Sequence, residues 1–132
     1  MIVLDASAAV ELLLNLPHGP RIRDRIADPA TQLHAPQLLT VEILQVLRRR
    51  VAAGITTVAQ AGTALSLLDD LGVSPHDHAL LARRIWELRD NLTAYDAAYV
   101  ALAELLGATL LTTDARLARA SGNRATIDLI DA

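Results

Sequence analysis

The chain has 132 residues, the commonest size for one domain, and 52% hydrophobic with 20% charged content excludes disorder, while its apolar runs are too short to span a membrane. It has no cysteine, which excludes disulfides, thiolate metal sites and a cysteine nucleophile. Its 12 basic residues are all arginine, which excludes a lysine phosphate loop or Schiff base, and a formal charge of −3 announces no global attraction to nucleic acid.

Met1 to Asp5 carries no basic stretch of a signal peptide, and a cytoplasmic domain is expected. Ile2-Val3-Leu4 is a short apolar strand ending at Asp5, and Ala6 to Leu14 reads as the helix that follows. Asn15 to Pro20, with two prolines and a glycine, is a loop before a short helix from Arg21 to Ala27. Gln32 to Ala35 is a second strand. Pro36 is expected to open a long helix from Gln37 to Ala53, stopped by Gly54. Val58 to Leu71 is a helix closed by Gly72, Val73 to His76 a strand, and Asp77 to Asp90 a helix. Thr93 to Leu106 is a helix closed by Gly107, Ala108 to Thr112 a strand, Asp114 to Ala120 a short helix, and Ala125 to Leu129 an edge strand. Strands alternating with helices predict a parallel sheet between helical layers, with right-handed crossovers.

Ligands of an open parallel sheet bind beyond the carboxyl ends of its strands. Asp5 and Asp114 both fall on that rim, although an Asp before a helix is equally a good N-cap. Asp96 lies in the first turn of its helix, on the face of Tyr99, Val100 and Ala103, where Thr93 and Asp96 also have capping-box spacing. Glu42 shares a narrow polar stripe with Gln45 and Arg49 on an otherwise apolar helix, so it faces either solvent or a cleft. Four carboxylates gathered at one rim repel unless they are protonated or bridged by a cation. Oxygen-only ligands suit Mg²⁺ or Mn²⁺ rather than Zn²⁺.

The segments IVLDASA (2–8), Val41-Glu42, LTAYDAAY (92–99) and LLTTDARL (110–117) together resemble a PIN-domain ribonuclease, and more closely the VapC toxins of type II toxin–antitoxin systems. The resemblance spans essentially the whole chain. It implies one PIN-like α/β/α domain over 1–132, with a central, mostly parallel sheet of four to five strands flanked by helices. It places the acidic metal site on Asp5, Glu42, Asp96 and Asp114, with Thr112 and Ser7 as hydroxyls that orient ligands or water. It implies a Mg²⁺- or Mn²⁺-dependent endoribonuclease acting on tRNA, rRNA or mRNA and leaving 3′-hydroxyl and 5′-phosphate ends. A homodimer and an inhibitory VapB-type antitoxin are implied with it, and no membrane.

Three further expectations concern contacts. Arg48 to Arg50 and Arg83, Arg84 and Arg89 are candidate holders of the RNA backbone, and Arg116 a candidate phosphate contact. Surplus apolar surface on the Gln37–Ala53 helix and at Val10, Leu12, Leu13, Leu14 and Leu16 suits an amphipathic antitoxin helix or, more simply, the core. His18, His34, His76 and His78 form no ligand pattern, His76 and His78 are read as surface or loop residues, and Tyr95 and Tyr99 as packing, with an edge of the site as the alternative for Tyr95 beside Asp96. The rival readings are a phosphotransferase using Asp5, for which Ser7 stands where a second Asp is wanted, and a PIN fold that binds without catalysing.

Overall fold

The computed structural model describes residues 1–131. Five strands, β1 (Ile2–Leu4), β2 (Leu33–Pro36), β3 (Ser74–His76), β4 (Thr109–Thr112) and β5 (Thr126–Leu129), form one sheet in the order β3-β2-β1-β4-β5, with every neighbouring pair parallel. The seven α-helices of the described residues are α1 (Ala6–Leu13), α2 (Gly19–Arg25), α3 (Leu38–Ala52), α4 (Val58–Leu71), α5 (Ala82–Glu87), α6 (Ala94–Leu106) and α7 (Ala115–Arg119).

The order of the strands locates the site. From β1 the chain crosses to β2 on one side, and β4 pairs with the other side of β1. The connections leaving β1 and β4 therefore diverge, which opens a crevice between them at the carboxyl rim. Asp5 follows β1 and Asp114 follows β4, so both line it.

Helix α6 is the chief support of the sheet. Ala97 through Ala103 are all buried, and the helix packs on β1, β2 and β4. Alanines on this helix let its backbone approach the sheet closely, while Tyr99, Val100 and Leu102 fill the remaining space. Helices α1, α3 and α4 pack together in the opposite layer. Helix α4 has the boundaries its sequence predicts because both ends are signalled locally. Thr57 Oγ1 accepts from Gln60 N while Gln60 Oε1 accepts from Thr57 N, and Gly72 ends the helix at φ 63°.

Helix α2 begins at Gly19 rather than Arg21, with Pro20 in its first turn, and ends at Arg25, and two further predicted boundaries move. Pro36 does not open α3 but ends β2, because its neighbour Gln37 donates to the His76 carbonyl and keeps the chain paired with β3 up to that point. Proline has no N–H to give to a ladder, so within a sheet it is tolerated only where no partner strand needs that donor. The helix expected over 77–90 is broken into a 3₁₀ turn, His78–Leu81, and α5. Asp77 caps the turn through Ala79 N, and the tighter winding buries Leu81 while Leu80 stays 73% exposed. No helix of the described residues is long and apolar enough to cross a membrane.

Candidate active site

Asp5 is the centre of the rim. It is the N-cap of α1, with Oδ1 accepting from Ala6 N at 2.8 Å. That cap uses one oxygen only. Oδ2 accepts from Ser7 Oγ at 2.7 Å and from Thr112 Oγ1 at 2.6 Å. Ser7 Oγ in turn accepts from Thr113 N, and Thr112 Oγ1 from Asp114 N, so the two hydroxyls tie the β1–α1 and β4–α7 connections to one carboxylate. The carboxyl is buried, and burial raises its pKa above the ordinary carboxylate range. Bonds from Thr112, Ser7 and Ala6 oppose that shift without cancelling it, and the charge of Asp114 adds to it.

Asp96 and Glu42 approach Asp5 from two helices. Thr93 caps α6 by accepting from Asp96 N at 3.2 Å, which sets the Asp96 carboxylate in the first turn, next to the rim. Burial raises its pKa, and the charges of Asp5 and Asp114 raise it further, against the opposing pull of Arg116. Glu42 on α3 faces the cleft rather than open solvent, its Oε1 accepting from Tyr99 Oη at 2.5 Å. Its pKa too is raised by burial, opposed by the Tyr99 bond and reinforced by the charges of Asp5 and Asp96. Asp5, Asp96 and Glu42 thus repel one another, and Asp5 and Asp96 repel Asp114. Against these four carboxylates, Arg116 is the countercharge that acts on Asp96 and Asp114.

Asp114 differs from the other three. It caps α7 by accepting from Arg116 N at 2.9 Å, and its Oδ2 pairs with Arg116 Nη2 at 2.9 Å. Burial works to raise its pKa, but the bonds and charge of Arg116 outweigh burial and hold it below the ordinary value. Arg116 therefore faces an acid of the cluster instead of standing free.

Among the described residues no three His, Cys, Asp or Glu side chains stand close enough to cage a metal ion as they are. As they stand, Asp114 is turned to Arg116 and Asp5 to two hydroxyls, and Tyr99 engages one oxygen of Glu42. The donors have the right chemistry for a hard divalent cation, being all carboxylate and hydroxyl oxygen, and their mutual repulsion is what such a cation relieves.

A cleft of about 670 Å³ runs from this cluster between α1 and α3, lined by Ser7, Val10, Glu11, Val41, Glu42 and Arg49 among others. Val41 is 67% exposed at its edge. Leu12 and Leu13 belong to the core, so only part of the expected apolar surplus is surface.

Sequence reasoning missed several contacts. Tyr99 is packing, as expected, but its hydroxyl also bonds Glu42; its place three residues after Asp96 on the same helical face was the available signal. Arg84 is not free to hold a phosphate chain, since its guanidinium is taken by Glu104, Glu87 and the Gly122 carbonyl. The histidines are not simple surface residues. His34 Nδ1 and His76 Nε2 are hydrogen-bonded at 2.9 Å, and His78 Nε2 accepts from Leu38 N at the start of α3.

A family model of the PIN domain matches residues 2–123. Ribonuclease VapC9 of Mycobacterium tuberculosis is 45% identical over 117 residues, covering 89% of this chain and 88% of that protein. Ribonuclease VapC12 of the same organism is 38% identical over 130 residues, covering 98% of this chain and 99% of that protein. The solved structure of VapBC2 from Rickettsia felis, bound to a DNA fragment from its promoter, superposes with a TM-score of 0.73 over 98% of both chains at 15% identity, a likeness of fold. The parallel sheet, the carboxylates at its rim and these relatives agree: the chain belongs to the PIN-domain family and, within it, to the VapC ribonucleases.

Proposed function

We propose that the chain is the toxin of a type II toxin–antitoxin module and a Mg²⁺- or Mn²⁺-dependent endoribonuclease. Asp5, Glu42, Asp96 and Asp114 are the metal-holding acids, with Ser7 and Thr112 fixing Asp5. The observation that carries this reading is the buried Asp5 carboxylate at the topological switch of the sheet, surrounded by acids that raise its proton affinity and one another's.

A divalent cation held there supplies a water of lowered pKa and positive charge against the phosphate oxygens. The chain's own residues do the rest. Asp5 is locked in one rotamer by three donors, and Thr112 and Ser7 keep its Oδ2 in place. Asp96 and Glu42 converge on it from opposite layers, and Asp114 is brought to the same rim by the cap of α7. Arg116, exposed and paired with Asp114 at the edge of the cluster, would be the residue that meets a phosphate of the RNA backbone.

The substrate class is RNA, whether tRNA, rRNA or mRNA, and the working form is a cytoplasmic homodimer. A VapB-type antitoxin occupies the α1–α3 cleft through an amphipathic segment, whose apolar side meets Val10, Val41 and Val46 and whose charges meet Glu11 and Arg49. A catalytically inactive binding scaffold is the second reading, favoured by the fact that no three acids are gathered as they stand.

One experiment separates the two. Partner-free protein is incubated with tRNA and total RNA in Mn²⁺, Mg²⁺ or EDTA, beside Asp96→Asn. Discrete fragments that need the metal and vanish in EDTA and in the variant are expected. Intact RNA under every condition, with no Mn²⁺-induced rise in Tm, favours the scaffold.

A further inference from the structure

We propose that Tyr99 is a positioning residue whose phenol holds the Glu42 carboxylate at the rim of the sheet, an assignment that rests on reading Glu42 as a metal-holding acid. Tyr99 is the largest of the fully buried side chains, 1% exposed, and lies in the one helix that also carries Asp96. A buried phenol needs a hydrogen-bond partner, and Glu42 Oε1 at 2.5 Å is the partner it has.

Glu42 needs the bond as much as Tyr99 does. Its neighbours Val41, Leu44 and Gln45 are exposed, so α3 at this point borders solvent, and an untethered glutamate there has rotamers leading away from Asp5 and Asp96. The phenol removes those rotamers while engaging only one of the two carboxylate oxygens. Residues 96 and 99 lie about one turn apart on α6. One rigid helix thereby presents its own acid and orients the acid of α3.

A purely structural Tyr99 fills space, and phenylalanine fills the same space. The discriminating set is wild type, Y99F, E42Q and the double variant Y99F/E42Q, each titrated with Mn²⁺ alone. The apparent dissociation constant is read from the metal-induced rise in Tm. Y99F is expected to weaken Mn²⁺ by about 10- to 100-fold, the usual range for a residue that orients a metal ligand. Added to E42Q, the same substitution is expected to cost nothing further, because the carboxylate it orients is already gone.

Wild-type Mn²⁺ affinity in Y99F overturns the positioning role, and so does an equal loss in the wild-type and E42Q backgrounds. The metal-free Tm comes from the same melts, and a general folding defect would show as a loss common to both backgrounds. A wild-type protein with no response to Mn²⁺ overturns the metal site itself and this assignment with it, whereas a responsive wild type beside an unaffected Y99F overturns this assignment alone.

Discussion

Thr112 donates its hydroxyl hydrogen to Asp5 Oδ2 at 2.6 Å, although the two residues lie 107 positions apart. The bond crosses from the end of β4 to the end of β1, which are adjacent only because the sheet places β1 at its centre. It is buried, since Thr112 is 0% exposed. The same hydroxyl oxygen accepts from Asp114 N at 3.0 Å, so one side chain serves two acids of the cluster.

Thr112→Val keeps the shape and removes both bonds. A hydrogen bond to a charged group contributes about 1.5–3 kcal/mol, and the orphaned Asp114 amide adds to the loss, so destabilisation of about 2–3 kcal/mol is expected. Urea unfolding at neutral pH measures it. Cleavage should fall as well, because Asp5 loses one of three donors that fix it. A variant as stable and as active as the wild type would show that Ser7 and Ala6 suffice.

Asp96→Asn is expected to stabilise the metal-free protein at neutral pH. The first turn of α6 favours a negative charge by about 0.3–1 kcal/mol, yet the Asp96 pKa is raised, so burial and the charges of Asp5 and Asp114 outweigh the helix. A folded-state pKa above the unfolded value of 3.8 means that the stability linked to this group is complete below that value and is lost as pH rises through the folded pKa. The variant should therefore melt a few degrees above the wild type at pH 7, with the difference shrinking toward pH 3.8. Excess Mn²⁺ should reverse the order. A variant that melts below the wild type at pH 7 without metal would make Asp96 a structural cap.

Much of this was legible in the sequence, and what was not has a common cause. The strand ending at Asp5, the glycine stops at Gly72 and Gly107, and the LTAYDAAY and LLTTDARL segments are local patterns, and they mark the sheet, most of the helices and the rim positions of Asp5, Asp96 and Asp114. The Tyr99–Glu42 bond spans 57 positions and the His34–His76 bond 42, and neither leaves a periodic trace. Pro36 was misplaced because the pairing of β2 with β3, which no local pattern encodes, decides where β2 stops. The break at Leu81 arises in the same way, from what the core requires of one leucine.

Arg84 and Arg49 look alike in sequence and are expected to part in experiment. Arg84 Nε lies 2.6 Å from Glu104 Oε2, with side-chain exposures of 21% and 13%, and its Nη2 bonds the Gly122 carbonyl at 2.7 Å. Replacing it by alanine leaves Glu104 with the Arg124 amide as its remaining partner, and about 1.5–3 kcal/mol of stability should be lost. At temperatures where the variant is folded, its binding to RNA should be unchanged, because the guanidinium never reached outward. Arg49 is exposed on α3 beside the Glu42 cleft. Arg49→Ala should alter stability by no more than about 0.5 kcal/mol. It should weaken RNA binding and flatten the plot of log K against log salt by about 0.7 for the one phosphate contact removed. Salt titrations of RNA binding by the wild type and both variants make the comparison, and a flattened slope in Arg84→Ala but not in Arg49→Ala would invert the assignment.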